Sequence, residues 1–287
     1  MAATQPAPTG GEAEATSLVG AQADQLELAP PPSPQRLRLV VAYDGTSFRG
    51  FAAQRDLRTV EGVLASALEK ALRAPIEDLN LACAGRTDAG VHAWGQVVSV
   101  DAPRDADPKR VRHALNRMLA PEVVVRSLEW TPSDFDARRS ARWRTYRYTI
   151  VNTPTPDPFL ARFAWWVPEP LDLAQLRLAA DPFVGEHDFA AFCRKGPAGS
   201  STVRVVHASR WMETTVADRT DVLVYEVTAS AFCWQMVRAI VGTIVEAGAG
   251  RRRPGDLLRI LRGGDRNDAG QLAPPQGLCL WAVGYDP

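Results

Sequence analysis

Three prolines within seven residues, Pro154, Pro156 and Pro158 in the run Asn152 to Pro158, constrain the middle of this chain more than any other feature. Each lacks a backbone N–H and holds φ at about −65°, so neither a helix interior nor a central strand passes through them. The chain is expected to divide there. Residues 36–151 and 152–287 read as two domains, with residues 1–35 as a disordered tail.

Hydrophobic spacing gives each part its elements. Arg36 to Tyr43 is a β-rich run closed by an Asp44-Gly45 turn. Thr59 opens a helix in which Val60, Val63, Leu64, Ala67, Leu68, Ala71 and Leu72 recur at three and four. Gln96 to Val100 reads as a strand, and Asp107-Pro108 caps a second helix running to Leu119. Strands follow at Val123 to Trp130 and Arg142 to Val151. Beyond the prolines come a helix over Leu171 to Ala180, strands over Val203 to Glu213 and Val222 to Ala231, and a helix over Trp234 to Ala247. A helix from Pro254 to Leu261 and a strand over Leu278 to Tyr285 complete the chain. The pattern predicts an α+β fold, in which each half packs helices on one face of a mainly antiparallel sheet.

The first 36 residues hold no aromatic and carry four acids (Glu12, Glu14, Asp24, Glu27) against Arg36, so the 33 bases and 33 acids of the whole chain leave 32 and 29 for the rest. That part is mildly basic. Arginines cluster at Arg138, Arg139, Arg142, Arg144 and Arg147 among Trp143, Tyr146 and Tyr148, a mixture suited to phosphates and bases. Arg251 to Arg253 form a second group that a helix C-terminus explains equally well. Cys83, Cys193, Cys233 and Cys279 lack CxxC spacing and read as reduced thiols. The four histidines are also dispersed, and no Gly-rich nucleotide loop occurs, so chemistry without metal or organic cofactor is expected. With no signal pattern and no run of about twenty apolar residues, a cytoplasmic protein that does not enter membranes is expected.

The segment Leu81 to Asp101 carries the chemistry. Asp88 lies between Gly85 and Gly90, whose freedom at φ lets a loop expose the carboxylate, and Arg86 places a positive charge two residues away. An ionised Asp acts as a nucleophile or general base near neutral pH. The alternative is an Asx turn, in which Thr87-Asp88-Ala89-Gly90 bonds only its own backbone.

Ala84 to Ala93 (AGRTDAGVHA) followed by Gly95-Gln96-Val97-Val98 resembles the catalytic motif of the TruA family of tRNA pseudouridine synthases. The resemblance runs from Leu37 to Tyr285. It takes in Val40 to Thr46, Phe48, Gly50, Asp134 to Arg138, Tyr146 to Tyr148, Phe232, Met236 to Gly242 and Pro275 to Leu280. The chain departs from the family pattern at Phe51-Ala52, at Asp136 and at Gly199 to Thr202, positions expected to touch RNA. The resemblance implies two similar halves around an RNA-binding cleft, and a homodimer acting on the tRNA anticodon stem and loop at positions 38, 39 and 40. Asp88 is then the nucleophile, or the base that labilises the sugar, by attack on C1′, attack on C6 or a glycal route.

Further roles follow from the same resemblance. Tyr146, otherwise a cross-strand packing residue, stacks on the extruded base. Arg238, otherwise on a solvated helix face, pairs with Asp88. Arg86 fills the space a flipped base vacates or holds the flipped nucleotide's phosphate. Phe135, Arg138, Arg139, Arg194 and Arg204 are the expected RNA contacts. His92 invites a general-base role, although Val91 and Trp94 around it favour packing. Two other classes stay open: a catalytically silent RNA-binding module, and a hydrolase with an Asp nucleophile that would release uracil.

Overall fold

Alternation along the first strand decides which face of the sheet is covered. In the computed structural model, which describes residues 35–196, 199–216 and 219–286, β1 (Gln35–Tyr43) buries every second residue, Leu37, Leu39, Val41 and Tyr43. The predicted tail, residues 1–35, lies outside the described residues except for Gln35. α1 (Val60–Leu72) begins where Thr59 Oγ1 accepts the Gly62 N–H, a cap that contributes about 1 kcal/mol. Its stripe of Val60, Leu64, Ala67, Leu68 and Leu72 is buried. β2 (Ala82–Cys83), β3 (His92–Ala102), α2 (Pro108–Leu119), β4 (Val123–Thr131) and β5 (Trp143–Val151) follow.

After the proline run come β6 (Trp165–Trp166), α3 (Leu173–Ala180), β7 (Gly185–Asp188), β8 (Val203–Val216) and β9 (Arg219–Ala229). The chain then forms α4 (Met236–Gly248), α5 (Gly255–Gly263) and β10 (Leu278–Gly284). Two helices start two residues later than their spacing predicts. Asp172 accepts the N–H groups of Ala174 and Gln175 and so stands outside α3 as its cap. Gln235, with φ of 65°, breaks the helical conformation ahead of Met236.

The result is a mixed α/β fold: one sheet in the order β4-β1-β3-β10-β5-β9-β8-β7, with β2 on β3, β6 on β5 and, among the described residues, five α-helices. Among the described residues, only the β10–β3 and β5–β6 pairs are parallel. β5, before the prolines, pairs with β9, after them. β10 enters between β3 and β5, and its Leu280 sits beside Ala93 on one side and Tyr146 on the other. This register brings the end of the Asp88 loop next to Tyr146. Among the described residues, no helix is long and apolar enough to cross a membrane.

The cysteines correct the sequence expectation. Cys193 and Cys233 form a disulfide, their Cα atoms 5.7 Å apart, although 40 residues separate them in sequence. Only Cys83 and Cys279 are free, and burial pushes both thiols up to about 12, so they stay protonated. Protein purified without reductant and then denatured is expected to titrate two thiols, rising to four after dithiol treatment. Four thiols before reduction would refute the bridge.

Candidate active site

The Asp88 loop is fastened at its ends and turns at its centre. Ala84 N–H donates to the Val97 carbonyl at 2.9 Å, and Phe51 N–H to the Thr87 carbonyl at 3.0 Å. Below it, the Thr87 hydroxyl bonds the Tyr43 hydroxyl at 2.7 Å, and Gln96 Nε2 donates to the Gly85 carbonyl at 2.6 Å. Val91 N–H reaches back to the Asp88 carbonyl at 3.1 Å, closing a turn whose third residue is Gly90 with φ of 78°. That position requires glycine. Gly85, in contrast to the sequence expectation, does not adopt positive φ.

The Asp88 carboxylate does not bond its own backbone. Trp234 Nε1 donates to Oδ1 at 2.9 Å, and Arg238 Nη1 lies 3.5 Å from Oδ2. Both partners lie far along the chain, at and just before the start of α4, so the Asx-turn alternative fails. The Asp88 side chain keeps 27% of its surface open to solvent, while that of Arg238 keeps 12%. Burial lowers the Arg238 pKa and the Asp88 charge opposes that shift.

Arg238 is fixed from behind by residues 270–273. Its Nε donates to the Ala273 carbonyl at 2.7 Å, and its own carbonyl accepts the Ala273 N–H at 3.2 Å. One turn on, a Cβ at Gly242 would overlap the Gln271 carbonyl oxygen, so only glycine admits this segment. Another turn on, Glu246 accepts the Gln271 N–H. The face that carries Arg238, Gly242 and Glu246 is therefore covered and not solvated.

Tyr146 is buried, its ring edge-on to Phe232 with centroids 5.0 Å apart, and a Cβ at Gly85 would lie 3.7 Å from its hydroxyl. Burial first, and then the Asp88 charge, push its hydroxyl well above the usual tyrosine range. It therefore stays protonated. One carboxylate within reach of solvent, one planar cation and one protonated phenol stand together at the meeting of β3, β10 and β5. Such a group can supply an anionic nucleophile or base and hold its charge in place.

A profile of the family described as tRNA pseudouridine synthase matches residues 39–138 and 179–286, well over half of the chain and inclusive of Asp88 and Arg238. The chain belongs to this family. Among curated relatives, tRNA pseudouridine synthase A of Pseudothermotoga lettingae is 38% identical over 251 residues, covering 88% of this chain and 100% of the relative. Proteins of the same name from Leifsonia xyli subsp. xyli and Brevibacillus brevis are each 41% identical, over 87% and 88% of this chain and 91% and 100% of their own lengths.

The remaining candidates of this tRNA pseudouridine synthase family member are distributed unevenly. Arg86 is exposed and has no ion pair with a described residue. Arg138 and Arg139 are exposed on a turn whose N–H groups both bond Asp136 Oδ1, at 2.8 and 2.7 Å. Although partial burial opposes it, those bonds hold the Asp136 carboxyl below its ordinary range, so this departure from the family pattern caps the turn. Phe135 packs against Tyr285 at 4.9 Å, with the Arg38 guanidinium 6.0 Å from its ring. Arg194 stacks its guanidinium over the Trp234 ring at 3.9 Å. Arg204 donates to the Val203 carbonyl at 2.6 Å on β8.

The predicted arginine cluster on β5 separates. Arg144 and Arg147 are an odd number of residues apart and leave opposite faces of the strand. Arg144 bonds the carbonyls of Ala84, Arg138 and Ser230, bracing the reactive loop, whereas Arg147 pairs with Glu226 and stacks on Trp281 at 4.0 Å. Arg251 and Arg252 pair with Glu169 and Glu246. Of the pair Phe51-Ala52, Phe51 is fully buried in the core and Ala52 is half-buried.

His92 is buried, and its Nδ1 accepts the Gly45 N–H at 2.9 Å, so that nitrogen has no proton to offer Asp44 3.3 Å away. Burial lowers its pKa against the pull of Asp44. It packs on Phe163 and serves the fold. Trp234 is the site residue that sequence reasoning passed over. Its only signal was a large aromatic at the predicted start of a helix, which packing explains as readily.

Proposed function

We propose that this protein isomerises uridine to pseudouridine at positions 38, 39 and 40 in the anticodon stem and loop of tRNA. Residues 36–151 and 152–287 form two similar halves around an RNA-binding cleft in a cytoplasmic homodimer. The C1′–N1 bond breaks, the uracil turns, and C1′ joins C5; C5 loses a proton and N1 gains one, so nothing enters or leaves overall. The observation that carries the reading is the Asp88 carboxylate held by Arg238 within the family motif. Asp88 is the nucleophile or base, Arg238 keeps its charge in place, and Tyr146 lies beside the incoming base. Exposed Arg86 is free to enter the space a flipped base leaves, offsetting an extrusion that costs a few kcal/mol.

Unmodified tRNA incubated with the purified protein is expected to acquire pseudouridine at those positions, read by primer extension after carbodiimide treatment, with no free uracil. Release of uracil would make the protein a hydrolase. Binding without either product would make it a silent RNA-binding module.

A further inference from the structure

Trp234 is half exposed, at 48%, yet it is among the most tightly specified side chains of the site. Its indole N–H bonds Asp88 Oδ1, the Arg194 guanidinium lies 3.9 Å over its ring, and its carbonyl accepts the Arg194 N–H at 2.9 Å. The residues just before the two, Cys193 and Cys233, are joined by the disulfide. Gln235, immediately after, is held in the left-handed region at φ of 65°, which a non-glycine residue adopts at a cost and which collects at functional sites. Five constraints thus converge on one surface tryptophan. A tryptophan needed only for packing would be buried, and one needed only as a stacking platform would not require its single polar atom to be aimed at Asp88.

We propose that Trp234 is a positioning residue for Asp88. Its N–H fixes Oδ1 while Arg238 holds Oδ2, so the carboxylate plane is set by two donors approaching from the start of α4 and the residue pair before it. A carboxylate oxygen has two lone pairs, and one N–H leaves the other free to react or take a proton. The bond acts on rate and not on affinity, because it orients the reacting oxygen and touches no part of the RNA. This inference rests on the isomerase reading above.

Three variants separate it from base stacking. Trp234→Phe keeps the ring and loses the N–H; Trp234→His restores an N–H on a smaller ring; Trp234→Ala removes both. Single-turnover rates at saturating tRNA are expected to fall about tenfold in the Phe variant with Kd within about twofold, since bonds to charged groups carry this order of effect. The His variant is expected to recover most of the rate. A Phe variant with parental rate, and an Ala variant weakened only in binding, would overturn the proposal in favour of stacking. An inactive parent would instead defeat the isomerase reading. One measurement stands apart from activity: the indole N–H resonance of Trp234, assigned by its loss in Trp234→Phe, is expected to move on Asp88→Asn. A resonance indifferent to that change overturns the proposal.

Discussion

Replacing Asp88 by Asn is expected to lower pseudouridine formation by roughly a thousandfold or more while tRNA affinity stays within about threefold. The amide matches the carboxylate in size and still accepts the Trp234 N–H, so the loop keeps its geometry. It lacks the charge that nucleophilic or base catalysis requires. Arg238 loses one partner yet remains anchored to the Ala273 carbonyl, so the start of α4 holds its place. The loop itself is fastened through Ala84, Phe51 and Val91 backbone bonds, none of which involves the Asp88 side chain. The fold should therefore survive, which a thermal melt checks. Single-turnover rates beside binding constants provide the decisive pair of measurements, and turnover within tenfold of the parent would remove Asp88 from the mechanism.

Local chemistry made much of this structure legible in advance. Thr59 and Asp107 announce α1 and α2 because a side-chain oxygen that accepts an orphan N–H is a property of a few adjacent residues. The β-rich run closed by Asp44-Gly45 gives β1 for the same reason. What the sequence withheld is long-range. β10 slots between β3 and β5 by pairing with strands far back in the chain, and no local signal records that. The two-residue strands β2 and β6 are too short to show a period.

The same distinction governs the site. Asp88 was readable because the contiguous run Ala84 to Ala93 that holds it resembles a family's catalytic motif; its glycines and arginine alone left the Asx turn open. Trp234 was not, because its meaning comes from Asp88, 146 residues away. The Cys193–Cys233 bridge escaped notice because proximity across 40 residues follows from the pairing of β7, β8 and β9, which CxxC arithmetic cannot detect. Arg238 is the most instructive case. A helical wheel offers it a solvated face, but eleven of the thirteen residues of α4 are buried, and the exceptions, Arg238 and Glu246, both meet residues 270–273 or their neighbours. A helix apolar nearly all round lies inside the protein, and a charge on it calls for a partner.

That burial makes substitutions of Arg238 the second large effect. Arg238→Lys keeps a positive charge but loses the planar fork that bonds the Ala273 carbonyl through Nε and faces Asp88 Oδ2 through Nη1 at the same time. Turnover is expected to fall about a hundredfold, and Arg238→Ala to fall further, toward the loss seen on removing the Asp88 charge, while tRNA binding changes less than about threefold in each. Burial adds a pH signature. It lowers the Arg238 pKa without discharging it near neutrality, because guanidinium starts so high. The ammonium of the lysine variant starts lower and is pushed down by the same surroundings, so it is charged at low pH and loses its proton as pH rises through its lowered value. The ratio of variant to parental rate should therefore decline as pH increases. Parental turnover in both variants would show that this cation contributes nothing, as exposed single charges usually do, and would sink the role given to α4 in the reaction. A large loss in the alanine variant with a flat ratio in the lysine variant would keep the ion pair and refute only the burial argument.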